Sequence, residues 1–146
     1  MKNIIVITGG AGFVGSNLIE YFLNKTRFQI ISLDNYSSGT SKNHIKNRRV
    51  KYLKSETVKI ATVLNKYKLK INAVFHFGEF ARIYQSFLKF NECFQSNSIG
   101  SNAVFRFCLE NKIKLLYSAT SATFGNKGKD KNLSPYAFLK YKNLEL

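Results

Sequence analysis

Acidic side chains are scarce in this chain: 8 Asp and Glu stand against 23 Lys and Arg, for a net charge of +15. Such an excess suits an anionic partner. A nucleic-acid surface needs its basic groups gathered on one face with aromatics between them, and the densest stretch runs from Lys42 to Lys54, with Lys46, Arg48, Arg49 and Lys51. The other lysines are scattered and travel with many Asn and Ile residues, a pattern that AT-rich coding produces without selection for binding. Nucleic acid is therefore not the expected partner. Cysteine is equally scarce. Cys93 and Cys108 lie in a stretch of helical periodicity without metal-ligand neighbours, which argues against a disulfide scaffold or a zinc site and predicts buried, reduced thiols. No apolar run approaches the roughly 18 residues of a membrane-spanning helix. The N-terminus enters a strand with no signal-peptide pattern, so the expectation is a cytoplasmic protein without membrane contact. Residues 1–146 are read as one domain.

What the chain does have is glycine in a telling place. Ile4 to Ile7 is a short β-branched run of the kind buried on both faces of a parallel sheet. Gly9, Gly12 and Gly15 follow it with the spacing G-x-x-G-x-x-G. Phe13, Val14, Leu18, Ile19 and Phe22 then recur at helical spacing. A strand, a tight turn and a helix start in this order let a pyrophosphate approach the backbone and sit on free N–H groups at the helix N-terminus. A second strand, Gln29 to Leu33, ends in Asp34 about twenty residues past the last glycine, where a carboxylate can accept hydrogen bonds from both hydroxyls of an adenosine ribose. That favours NAD over NADP, because a 2′-phosphate would meet the carboxylate. The alternative is that Asp34 starts a turn with Asn35, Ser37, Ser38 and Gly39.

Downstream, Val50 to Leu53 reads as a third strand followed by Glu56, a carboxylate suited either to an adenine amino group or to a helix N-terminus. Thr57 to Leu69 reads as one amphipathic helix with Val58, Ala61, Leu64 and Tyr67 on its apolar face. Ala73 to Phe77 is a fourth strand, with His76 read as a hydrogen-bonded core residue before a catalyst, and with Gly78 expected to let the backbone run beside a cofactor. Phe87 to Glu110 is mostly helical, presenting Ile99, Ala103, Val104, Phe107 and Cys108, with interruptions at Asn97 and Gly100. Lys114 to Ser118 is the fifth strand, and alternation of strand and helix predicts a parallel sheet with right-handed crossovers.

The fifth strand exits through Ser118-Ala119-Thr120-Ser121, and a short basic loop leads to Ser134-Pro135-Tyr136, with Lys140 four residues on. Pro135 suits a helix start, and Tyr136 and Lys140 then share a face. An ammonium held near a phenol favours the phenolate, and a Tyr so tuned can take a proton from a sugar hydroxyl while hydride leaves for a cofactor. Thr120 is placed to hydrogen-bond the same hydroxyl. Y-x-x-x-K alone is common in Lys-rich chains; the ordered set of motifs is not.

With the glycine turn, Asp34, the hydroxyl-rich exit of strand five and S-P-Y-x-x-x-K in sequence, the chain resembles the extended short-chain dehydrogenase/reductase family, the NAD-dependent sugar-nucleotide epimerases and dehydratases. The resemblance spans essentially the whole chain. It implies an α/β fold, a Rossmann-type doubly wound parallel sheet of about five strands in the order 3-2-1-4-5, lacking the carboxyl-terminal substrate domain. It implies that Gly9, Gly12, Gly15 and Asp34 bind NAD, with Phe13, Val14, Asn35, Phe77, Gly78, Tyr136 and Lys140 beside the cofactor and Glu56 at the adenine-binding acidic position. Thr120, Tyr136 and Lys140 fall on the catalytic triad, and Asn97 on a structural Asn. The implied substrate is a nucleotide sugar, and the implied partner a separate carboxyl-terminal half or a second copy in a homodimer. Ala119 and Ser121 lack the acid/base pair of a dehydratase, which tilts the expectation to epimerase. The competing expectation is a catalytically silent NAD-binding or partner-binding module.

Four departures stand out. Family members usually read H-L-A-A where this chain has His76-Phe77-Gly78-Glu79, and Glu79 is unexpected near a nicotinamide. The loop Asn126 to Leu133 is short and lacks its customary Glu, and Thr120 replaces the commoner Ser. Family enzymes also continue well beyond the Tyr-Lys helix, so the expectation is the amino-terminal half of a split enzyme or a truncated relative.

Overall fold

A computed structural model describes residues 2–124, 127, 129 and 132–146. The β-branched run near the N-terminus forms β1 (Ile4–Thr8), buried at every position, and it is the centre of the sheet. β2 (Gln29–Asp34), β3 (Val50–Lys54), β4 (Ile71–His76) and β5 (Lys114–Tyr117) join it in the order β3-β2-β1-β4-β5, every neighbouring pair parallel. Because successive side chains of a strand point to opposite faces, β1 feeds two cores. Ile4 and Val6 pack with Ile31, Leu33, Val74, Leu64 and Phe107 on one side, while Ile5 and Ile7 meet Ile19 and Leu23 on the other. The sheet is doubly wound, as the motif order implied.

The helices depart from the periodicity in instructive ways. α1 (Phe13–Lys25) buries Gly15, Ile19 and Leu23, leaving Phe13 82% and Val14 54% exposed. The glycine row decides this: a Cβ on Gly15 would collide with the Gly9 carbonyl, so that side of the helix must face the turn, and Phe13 and Val14 are rotated outward. Thr57–Leu69 is not one helix. Tight turns at Thr57–Lys59 and Asn65–Lys70 flank a short α2 (Ile60–Leu64), and Ile60 and Leu64 are fully buried while Val58 is 43% exposed. A three-residue turn ahead of α2 shifts the phase that a uniform 3.6-residue helix would have.

The next region is helical from Ile83, earlier than periodicity indicates: α3 (Ile83–Leu88), α4 (Phe90–Phe94), a π turn at Gln95–Gly100, and α5 (Ser101–Glu110). The interruption falls where Asn97 and Gly100 placed it. Asn97 is fully buried and grips the backbone of Phe80 in both directions, its Oδ1 accepting from the Phe80 N–H at 2.7 Å and its Nδ2 donating to the Phe80 carbonyl at 2.8 Å. Cys93 and Cys108 are buried free thiols, and burial pushes them up to about 11 and about 12. α6 (Pro135–Lys142) starts at its proline, capped by the Ser134 hydroxyl, which accepts from the Ala137 N–H at 3.0 Å. Among the described residues no helix is long and apolar enough to cross a membrane.

The revised phase of the α2 segment makes a direct test. Ile60→Ala should destabilise by about 2–5 kcal/mol, whereas Val58→Ala should change stability by less than about 1 kcal/mol. Urea unfolding followed by circular dichroism measures both, and equal losses would restore the single amphipathic helix.

Candidate functional site

In a parallel sheet every strand ends on the same edge, so the segments that follow the strands converge there. The turn after β1 is built for close backbone approach. Gly9 adopts φ +71°, and a Cβ on it would lie 2.8 Å from the backbone of Phe77. Gly12 N-caps α1 without a side-chain bond, and the first helical turn holds no acidic residue. The N–H groups of Phe13, Val14 and Gly15 therefore open onto the strand-end edge with the positive end of a 13-residue helix behind them.

Asp34, at the end of β2, is buried beside this turn. Its Oδ2 accepts from the Ala11 N–H at 2.9 Å and its Oδ1 from the Tyr36 N–H at 2.8 Å. The carboxylate thus starts a turn, as the alternative reading had it, and also holds the glycine loop. Asn35 turns inward on its own loop, its Oδ1 accepting from the Ser37 N–H at 3.0 Å. That loop clamps Ala11 again: the Thr40 N–H and the Asn43 Nδ2 donate to the Ala11 carbonyl at 3.1 and 2.8 Å. Glu56, after β3, is exposed and makes no capping bond. After β4, Phe77 is half-buried, and a Cβ on Gly78 would sit 3.0 Å from Thr8 and from the Gly9 nitrogen. Gly78 therefore packs tightly against the neighbouring turn.

The chemical end carries a carboxylate partner that the sequence reading did not assign. Tyr136 lies in the first turn of α6, half-buried, with its backbone N–H donating to Ser86 Oγ at 3.3 Å. Thr120 N-caps the turn Ser121–Thr123 after β5, accepting from the Ala122 N–H at 3.3 Å, and this turn packs on α6. Residues 125, 126, 128, 130 and 131 of the loop between them lie outside the described residues. Lys140 shares the Tyr136 face of the helix, but its ammonium donates to Glu79 Oε2 and to the Ser118 carbonyl, and it lies 4.6 Å over the Tyr117 ring. Both side chains of the pair are buried, 5% exposed for Lys140 and 2% for Glu79. Glu79 Oε1 also accepts from Ser101 Oγ at 2.6 Å, Tyr117 Oη at 3.1 Å and Asn143 Nδ2 at 3.3 Å. Burial raises Glu79 above the ordinary carboxylate range, with Lys140 pulling it back, and burial together with Glu79 raises the Tyr117 phenol. Sequence reasoning missed Ser101, Tyr117 and Asn143 in this cluster. Its signal was Glu79, an acidic residue where the motif is apolar.

Residues 5–144 match the model of the NAD dependent epimerase/dehydratase family. The chain belongs to that family. Among solved structures it resembles a UDP-Glc/GlcNAc 4-epimerase from Campylobacter jejuni, at 24% identity and a TM-score of 0.85 over 98% of this chain and 47% of that one. A UDP-N-acetylglucosamine 4-epimerase from Methanobrevibacter ruminantium is 26% identical, with a TM-score of 0.81 over 98% of this chain and 49% of that one. A UDP-glucose 4-epimerase from Thermus thermophilus, solved in complex with NAD, is 22% identical, with a TM-score of 0.85 over 97% and 49%. The chain spans about half the length of these structures.

In this epimerase-family chain His76 is a wholly buried core group. Thr8 Oγ1 accepts from the N–H groups of Phe77 and Gly78 at 3.1 and 2.9 Å, so its own hydrogen points to His76 Nδ1 at 2.6 Å. That pattern assigns the ring proton to Nε2, which donates to Ser101 Oγ at 3.0 Å, and the Ser101 hydroxyl then donates to Glu79. Burial, with Lys140 adding repulsion, lowers His76 from its ordinary 6.5 to about 3. A base whose folded value is depressed is protonated first in the unfolded chain, so stability falls as pH drops between about 6.5 and 3, by up to roughly 1.4 kcal/mol per pH unit. Thermal melts across that window should show the loss, and His76→Gln should flatten it. An equally steep profile in His76→Gln would place the acid sensitivity elsewhere.

Proposed function

We propose that this chain binds NAD and forms the cofactor-binding, proton-transferring part of an NAD-dependent sugar-nucleotide epimerase. The observation that carries the reading is the conjunction on one sheet edge of an uncapped helix N-terminus behind a glycine turn, a buried carboxylate after β2, and the Tyr136–Lys140 face of α6. The pyrophosphate fits the N–H groups of Phe13, Val14 and Gly15, behind a turn in which the Gly12 N–H is held by the Gly9 carbonyl at 3.1 Å. Asp34 is already oriented by Ala11 and Tyr36 and keeps lone pairs for ribose hydroxyls. Exposed Glu56 is open to an adenine amino group, while Asn35, Phe77 and Gly78 frame the edge.

The bound cofactor supplies a hydride acceptor. The chain's own part is the proton: Tyr136 Oη takes it from a sugar hydroxyl, and Thr120 hydrogen-bonds that hydroxyl. Ala119 and Ser121, on either side of Thr120, offer no acid/base pair, which supports epimerisation over loss of water. The substrate class follows the 4-epimerases that the chain resembles. The second reading, an NAD-binding module without turnover, draws support from Lys140, whose ammonium is already engaged by Glu79.

Saturating NAD+ at about a hundredfold excess over its Kd should stabilise the chain by about 2.7 kcal/mol and raise the melting midpoint by several degrees. NADP+ should shift it less, since its 2′-phosphate meets Asp34. A midpoint that ignores NAD+ would overturn the cofactor assignment. With UDP-sugar and a supplied carboxyl-terminal half, Tyr136→Phe should abolish turnover while preserving the NAD+ shift. Absence of turnover in the parent under those conditions favours the silent module.

A further inference from the structure

Glu79 has no counterpart in the motif that the chain otherwise follows, yet it is the most heavily hydrogen-bonded side chain among the described residues of the site. Four donors converge on it, from Lys140, Ser101, Tyr117 and Asn143. Lys140, Ser101 and Tyr117 each bring a proton, Asn143 shares the two protons of its Nδ2 among Asn97, Tyr117 and Glu79, and Ser101 itself already accepts from His76. A carboxyl proton on Glu79 would have nothing to bond, so the group is a carboxylate. Lys140 is correspondingly committed: of its three N–H bonds, one goes to this carboxylate and another to the Ser118 carbonyl.

We propose that Glu79 is the counter-ion of Lys140, a positioning residue that cancels the lysine's charge at the Tyr136 phenol and so restrains Tyr136 as a base. The proposal rests on the reading of Tyr136 and Lys140 as the proton-transferring pair. Two opposite charges in contact act at a distance as a dipole, and the ammonium that sequence spacing aims at Tyr136 is compensated within the buried pair. The polar and titratable groups around it are Tyr136 and Asn143 on the C-terminal segment, Tyr117 on β5, His76 on β4, Ser101 on α5 and Cys93 on α4. His76 is neutral, and Cys93 and Tyr117 are held in their protonated forms, so Glu79 is the one anion facing Lys140 among them.

The test reads the Tyr136 phenolate directly, by tyrosinate absorbance during an alkaline titration. Subtracting the same variant carrying Tyr136→Phe isolates its signal from the other seven of the 8 tyrosines. Glu79→Gln keeps the shape and removes the charge, and the Tyr136 phenolate fraction at a given pH should rise on the order of tenfold. In the double variant Glu79→Gln/Lys140→Met no unpaired buried charge remains, so it is the variant that keeps the fold. Its Tyr136 phenolate fraction should equal the parent's. A fall of about tenfold in the double variant would mean that Lys140 already acts on Tyr136 with Glu79 in place, and would overturn the proposal. So would an unchanged phenolate fraction in a folded Glu79→Gln. These outcomes are independent of the NAD+ melt: a parent that ignores NAD+ removes the cofactor reading and leaves the charge pairing to be judged by the titration alone.

Discussion

Two opposite charges leave water together where β4 hands over to the rest of the chain, and the placement of the chemical end depends on them. Burying an isolated carboxylate or ammonium costs several kcal/mol per ion, and mutual attraction offsets that only when the remaining lone pairs and protons are also matched. Glu79 meets this condition with hydrogen bonds from β5, α5 and the segment after α6, and Lys140 with the Ser118 carbonyl at the exit of β5. A helix of 8 residues has little stability of its own. Its position follows from this anchor, from Asn143 donating to the Asn97 carbonyl at 2.6 Å, and from packing on α3 and α4.

The sheet imposes the other constraint. With all strands parallel, the glycine turn, Asp34, Glu56, Glu79 and Thr120 must emerge on one edge, however far apart they stand in the chain. β1 lies at the centre because its residues are apolar on both faces, and the glycines follow it because only bare backbone fits between Phe77 and the start of α1. The site is thus a consequence of topology first and of individual side chains second.

This explains what could be read from the residues alone. Strand identity was legible because β-branched runs bounded by turn residues carry their own signal, the sheet order followed from the family resemblance, and the glycine turn was legible because few residue types can make it. The phase of the α2 segment was legible only in part: Leu64, expected on the apolar face, is buried, but Val58 and Ala61 fit a uniform helix as well as Ile60 does, and the tight turn that selects Ile60 comes from docking. Phe13 and Val14 recur at helical spacing with Ile19, but a glycine on the opposite side of the helix takes the inner position and leaves both exposed. Helical spacing correctly put Tyr136 and Lys140 on one face; it says nothing of a carboxylate 61 positions upstream that takes the lysine's proton bonds.

The buried polar groups also run as one connected path through a mostly apolar interior. Thr8 ends β1 just before the glycine turn, His76 ends β4 beside it, Ser101 starts α5, and Glu79 closes the path onto Lys140. Each donor has one direction in which its proton can point, because Thr8 is fixed by two backbone N–H groups at one end and Glu79 by four donors at the other. Half-satisfied networks of this kind destabilise a core, whereas fully satisfied ones define its geometry. The glycine turn and Lys140 are therefore held in register by the same chain of hydrogen bonds, and a shift at either end has to be accommodated by the other.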